Sequence, residues 1–304
     1  AAPGVDVPGT LLSVAGPAAL VYGVIEAPVR GWSHPGVLAA VLAGLAVIAL
    51  FVLVEARSKA PMLDLALFRD RVFLWGSLGA TYVSLSMMGV LFVVPLYLQS
   101  VLGHDAFGTG IRVIPMVVGL MVGGLGGERL LRVLGLRVIM PLGLLVLAAG
   151  LTAGALTDAS STYGATAGWL SIVGVGVGLA MVPAMDGVLA VLPEDRTGAG
   201  SGTLQALRQV GGAFGVAGLG SLLSAVYTGA LPAGAPKAAA DSVAAAVRLG
   251  DPALAAAAGR AFVTGMDAVL GVCALLALTV AAAVAVFMRG AETRQSAHEL
   301  TSAP

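Results

Sequence analysis

Apolar residues along this chain come in long unbroken runs, without the close alternation of hydrophobic and polar positions that marks a half-buried surface. Eight runs, at 8–27, 36–54, 72–98, 109–127, 137–157, 164–190, 200–226 and 261–288, are separated by polar connections. At 1.5 Å per residue, each run is long enough to cross a hydrocarbon core about 30 Å thick as a helix. In lipid only a helix or a closed barrel satisfies its own backbone, and runs without period-two alternation select the helix. The pattern predicts an all-α membrane protein with eight transmembrane helices.

The charges between the runs give an orientation. Arg57, Lys59, Arg69 and Arg71 lie in the connection at 55–71, Arg129, Arg132 and Arg137 in the next on that side, then Arg196, and finally Arg289 and Arg294. The opposite connections hold Arg30 and then no Lys or Arg at 99–110 or 158–163. The basic side is expected to be cytoplasmic, with both termini inside. Lys237, Arg248 and Arg260 in the outer loop 227–260 run against this bias, but a long loop far from the first helix weighs little in it. Trp32, Tyr97, Tyr163, Trp169 and Tyr227 fall near predicted outer ends and Phe68, Phe73 and Trp75 near an inner one, as interfacial belts would. Within the outer loop, the Ala-rich pieces 237–249 and 252–260 read as short interfacial helices, and 56–71 as a segment lying on the inner surface.

Composition agrees: 58% of residues are hydrophobic and 11% charged, against roughly half and a quarter in soluble domains. The net charge is zero, which leaves no long-range field for nucleic acid. Cys273 is the only cysteine and lies inside the last run, so an internal disulfide or a cysteine metal cluster is excluded. His34, His104 and His298 have no second ligand one helical turn away, so no metal or other cofactor is expected. With no histidine cluster, paired carboxylates or nucleophile elbow, an intramembrane enzyme is disfavoured. The first residue is Ala1, with no basic leader before an apolar core, and the chain reads as part of a longer protein. Fourteen Arg against two Lys, with heavy use of Ala, Gly, Val and Leu, suggest a GC-rich bacterial genome and hence a bacterial inner membrane.

Ionisable residues inside spans cost about 2.5–3.5 kcal/mol at a helix centre, so they turn toward protein or water. Asp186, near the inner end of the sixth span, and Arg208, inside the seventh, are placed to pair in the inner half of the membrane. As a proton-coupling or gating pair they compete with a static structural pair. Arg112, one turn inside the outer end of the fourth span, is in reach of Asp105 and of Asp267 in the eighth; its plainer role is to snorkel to headgroups. Glu26 is expected to be solvated. Gly119, Gly123 and Gly127, Gly174 and Gly178, and Gly211, Gly215 and Gly218 form small-residue stripes that let helices approach closely. Gly174-x-Gly176-x-Gly178 lies within a span and has no nucleotide-loop context. Pro17, Pro95, Pro115, Pro141 and Pro183 each free a carbonyl inside a span.

Three segments carry a resemblance. Glu55-Ala-Arg-Ser-Lys-Ala-Pro61 leads to Leu67-Phe68-Arg69; Pro95-Leu-Tyr-Leu-Gln99 precedes Val101-Leu-Gly103; and Leu192-Pro-Glu-Asp-Arg-Thr-Gly198-Ala-Gly200-Ser-Gly202 continues to Arg208-Gln209-Val-Gly211-Gly212 and Phe214-Gly215-Val-Ala217. Together they resemble the fourteen-helix drug:proton antiporters of the major facilitator superfamily. The resemblance implies two linker helices with a cytoplasmic loop at 1–71, the C-terminal six-helix transporter half at 72–290, and a cytoplasmic tail at 291–304. It implies a missing N-terminal half, small apolar or cationic substrates, protons as coupling ions, and alternating access, with the fragment inactive alone. The third and sixth spans would face a central cavity, making Tyr82, Ser86, Met87, Met88, Met181, Met185 and Gln205 candidate substrate contacts; methionines suit an adaptable pocket or equally fill gaps. The inner loop 127–137 resembles the superfamily's gating loop through Gly135 and Arg137, but Arg132 stands where that loop carries an acid. Export of one dedicated metabolite or antibiotic, and a nontransporting membrane scaffold, are the rival expectations.

Overall fold

The computed structural model describes residues 7–57, 65–157, 161–190, 192 and 197–288. Among them the chain is helical throughout, without strands: α1 (Val7–Arg30), α2 (Pro35–Arg57), α3 (Arg71–Leu96), α4 (Ala106–Leu134), α5 (Leu136–Gly154), α6 (Tyr163–Ala190), α7 (Thr197–Ala230), the short α8 (Lys237–Asp241) and α9 (Val243–Arg248), and α10 (Pro252–Phe287). A 3-10 turn covers Leu65–Arg69, and Tyr97–Val101 winds as a π turn beyond Pro95. Seven helices are long and apolar enough to cross a membrane, α2 to α7 and α10. The apolar stretch of α1, Leu11–Ala27, is shorter.

Side-chain caps explain several helix starts. Asp70 accepts from Val72 N at 2.7 Å and Phe73 N at 3.0 Å to open α3, and Asp105 accepts from Gly108 N at 2.8 Å to open α4. At α10, Asp251 accepts from Ala253 N at 2.8 Å, with Pro252 in the first turn, where its missing N–H costs nothing. The segment 252–260, expected as a separate interfacial helix, is therefore continuous with the last span. The expected inner loop 127–137 likewise shrinks to Gly135: α4 runs on to Leu134, and α5 begins at Leu136. Gly135, at φ 71°, makes this turn, donating to Leu131 O at 2.9 Å.

Helices in lipid gain little by burying apolar surface, so close packing holds them together. α4 and α6 run side by side with backbones in contact: a Cβ on Gly123 would overlap the Val175 carbonyl, and one on Gly174 the Met116 carbonyl. Gly211 and Gly215 likewise seat α7 on Thr81 and Leu85 of α3. Gly218, expected in the same stripe, has nothing within 4 Å. α3 is the centre of the bundle, packed on α7, α6 and α10, while α5 closes against α6 and α10. α1 and α2 form a hairpin that rests on α7, where Ser221 Oγ donates to Val24 O at 2.6 Å. α2 is otherwise open to its surroundings, with Leu42 64% and Leu53 53% exposed.

Contacts order the ends. Gly76 lies against Val188 and Leu136, Gly200 near Phe73, and Trp75 stacks on Phe287 at 4.6 Å, so the starts of α3, α5 and α7 meet the ends of α6 and α10. These are the ends that border the Arg-rich connections. The aromatic belts hold only in part. Trp32 and Tyr163 are exposed, whereas Tyr97, Trp169 and Tyr227 are buried in protein. Tyr227 instead anchors the connection between α7 and α10, its hydroxyl donating to Ala239 O at 2.7 Å. At the other end Phe73 is buried, meeting Phe68 edge-on at 5.5 Å.

Candidate functional site

α6 and α7 both rest on α3 and barely touch each other. Arg208 spans the gap between them. From α7, about three turns beyond its start, the guanidinium Nε donates to Ser84 Oγ of α3 at 3.3 Å. Nη1 donates to Gln205 Oε1 at 3.1 Å and meets Met185 Sδ of α6 at 3.3 Å, while Nη2 meets Met181 Sδ at 3.8 Å. Arg208 is half-buried, Met181 buried, and Met185 and Gln205 exposed, so the group sits at the open mouth of the gap. Met88, half-buried, lies against Gly212 one turn further along α7. The seating of Gly211 and Gly215 on α3 brings Arg208 within reach of Ser84.

The expected pair is not made. Asp186 is exposed, and no ion pair joins it to Arg208. On a helix, residues one apart differ by about 100°, so Asp186 leaves on a different bearing from Met185. Tyr82 and Ser86, expected at the cavity, are buried in the seam between α3 and α10, where the Tyr82 hydroxyl donates to the Cys273 carbonyl. Met87 packs half-buried against the core. Of the seven cavity candidates, Met181, Met185 and Gln205 meet Arg208, and Met88 lies against Gly212 one turn away.

At the opposite end of the bundle, Arg112 donates to Gly108 O at 3.1 Å, and its guanidinium lies 5.3 Å from the centre of the Tyr163 ring. This cation–π contact ties the starts of α4 and α6 together. Asp105 is engaged in capping α4. Asp267 is half-buried on α10. Glu26, expected to be solvated, pairs with Arg30 at 2.5 Å. Arg132 is exposed on the last turn of α4. Arg137 borders a groove of about 310 Å³ between α5 and α10, lined also by Val138, Pro141, Leu142, Leu145 and Ala285. That groove involves neither α3, α6 nor α7, so it is separate from the Arg208 cluster.

The model of the Major Facilitator Superfamily matches residues 9–216. The chain belongs to this superfamily. It is 32% identical over 318 residues to the Tetracenomycin C resistance and export protein of Streptomyces glaucescens, covering 97% of this chain and 58% of that protein. It is 33% identical over 225 residues to the Multidrug resistance protein Stp of Mycobacterium tuberculosis, covering 72% of this chain and 41% of that protein. This superfamily member thus spans about half the length of the relatives it matches. Its fold is similar to that of a bacterial homolog of the human lysosomal transporter Spinster in an inward-facing, occupied conformation, with TM-score 0.57 and 16% identity, covering 92% of this chain and 65% of that one. The chain is a multi-pass membrane protein of a transporter superfamily, with drug and antibiotic export and resistance proteins among its relatives.

Ser84 is the site residue that sequence reading missed. Ser84 and Ser86 are equally polar and two residues apart, about 200° around the helix, so only packing selects which one meets Arg208.

Proposed function

We propose that this chain is the C-terminal part of a proton-coupled multidrug exporter in a bacterial inner membrane, working by alternating access and inactive without the rest of the protein. Export is supported by a match across nearly the whole chain to a resistance and export protein, and multidrug breadth by the 33% identity to a multidrug resistance protein. In this reading α1 and α2 are the linker pair, α1 spans as an eighth helix, and α3 to α7 with α10 form one six-helix half, its ends bordered by Arg-rich connections inside the cell. The gap between α6 and α7 is this half's share of the cavity. Rocking of two halves about such a midplane site is how transporters built from repeats expose it to each side in turn.

Roles follow for the remaining candidates. Asp186, exposed near the inner end of α6, is the proton-accepting candidate. Arg112 with Tyr163 holds the outer end, Asp267 is a second carboxylate on the outer half of α10, and Arg132, Gly135 and Arg137 form the inner turn. The deciding measurement is pH-gradient-driven dye efflux by full-length protein in vesicles, wild type against Asp186→Asn. The variant should insert normally but lose most gradient-dependent efflux; undiminished efflux would remove Asp186 from coupling.

A second reading is export of one dedicated compound. It is favoured by relatives named for single compounds, among them the Cephamycin export protein CmcT of Amycolatopsis lactamdurans and the Puromycin resistance protein pur8 of Streptomyces alboniger. A panel of structurally unrelated substrates separates the two, since a dedicated exporter moves only one of them.

A further inference from the structure

We propose that Arg208 is the anion-binding element of the cavity, so that the cargo carries an anionic oxygen, such as a carboxylate, phenolate or enolate, on an apolar frame. This rests on the export reading and narrows its substrate class, away from the cationic cargo that the resemblance implies.

The guanidinium has five N–H groups, and all the acceptors that meet them are neutral: Ser84 Oγ, Gln205 Oε1, Met185 Sδ and Met181 Sδ. Thioether sulfur is a weak acceptor and offsets none of the charge. Among the described residues no carboxylate forms an ion pair with Arg208, and Asp186, next in sequence to Met185, is exposed and makes no ion pair with it. An arginine in a membrane-embedded helix faces protein or water and is balanced there. Here the balance is left to whatever enters the gap.

A fixed Arg fork suits a planar carboxylate or a polarised oxygen. An incoming anionic oxygen displaces the two sulfur contacts and leaves Ser84 and Gln205 holding the guanidinium in place. Met181, Met185 and the neighbouring Met88 then present soft, polarizable surface to the rest of the molecule. Because Met side chains re-pack readily, the frame can vary while the anionic group is kept. A cation placed in the same gap meets a like charge with nothing between them.

The test compares two probes on one xanthene frame, anionic fluorescein and cationic tetramethylrhodamine methyl ester, by fluorescence polarisation on purified full-length protein and by efflux from vesicles. The wild type should bind fluorescein at least about tenfold more tightly than the cation. Arg208→Gln should abolish that preference without weakening the cation, and Arg208→Lys should retain part of it. Equal loss of both dyes in Arg208→Gln would mean that the guanidinium pairs with a carboxylate elsewhere in the protein, which overturns the proposal. If the variant does not insert, the wild-type preference decides alone, and a preference for the cation overturns it. Competition by added phosphatidylglycerol would assign the guanidinium to headgroup phosphate and overturn the cargo assignment. Dye efflux without charge preference sinks this inference and leaves the export reading standing; no binding or efflux of either dye sinks this inference and the multidrug reading together, leaving only the dedicated exporter.

Discussion

A single hydroxyl bridges the seam between α3 and α10. Tyr82 is 6% exposed and donates to the Cys273 carbonyl across that seam. The bond is worth about 0.5–1.5 kcal/mol, the range for side-chain hydrogen bonds in proteins and membranes. Tyr82→Phe keeps the ring packing and removes only this bond, so the detergent-solubilised protein should melt a few degrees lower while dye binding is retained. A loss of binding with unchanged melting would place Tyr82 at the cavity after all. The sequence marked Tyr82, Ser86 and Arg208 alike as polar groups in apolar runs. It could not separate them, because a polar residue in a span faces either a partner helix or a cavity, and both shield it from lipid.

Between elements, the closest approach is the backbone contact of α4 with α6. Gly119, Gly123, Gly174 and Gly178 are spaced at four residues, so the stripe itself was legible. Which helix each stripe meets was not. Gly174→Ala places a methyl group against the Met116 carbonyl and should cost about 1–3 kcal/mol by overpacking. Gly126→Ala on α4, with nothing within 4 Å, should be neutral. Thermal unfolding of the two variants side by side checks this, and equal melting temperatures would mean that α4 and α6 are further apart than described. The early start of α10 and the extension of α4 to Leu134 escaped the hydropathy pattern, which ends where charges begin. A helix does not end there: Ala, Leu, Glu and Arg all favour it, and only a cap or a glycine at positive φ stops or starts it.

For the whole molecule, orientation is the property that the proposed transport depends on. In the proposed topology the connection between α7 and α10 lies outside the cell. A cysteine introduced at Ala235, with Cys273 replaced by Ala, should react with a membrane-impermeant maleimide in intact cells. A cysteine at Arg132, on the exposed last turn of α4, should react only after the membrane is opened. The reverse pattern would invert the molecule and move Asp186 and Arg208 to the outer side. The charge bias that sets this expectation is a property of the connections and is visible in sequence, whereas the burial of an aromatic near a helix end is not. Tyr97, Trp169 and Tyr227 sit near helix ends as belt residues do, yet they pack inward against neighbouring helices.

The sequence by itself determined that the chain is a helical membrane protein, roughly where its seven long apolar helices lie, and which family it resembles. Those follow from local properties: run length against bilayer thickness, backbone hydrogen bonding that only helices can satisfy in lipid, and short strings of neighbouring residues. Tertiary structure decided what each embedded polar group faces. Arg208 meets Ser84 and two methionines instead of Asp186 because the glycines of α7 seat it on α3, and α3 holds α6 and α7 apart. That bearing is set by how helices rotate against one another, and residues on three separate helices fix it jointly.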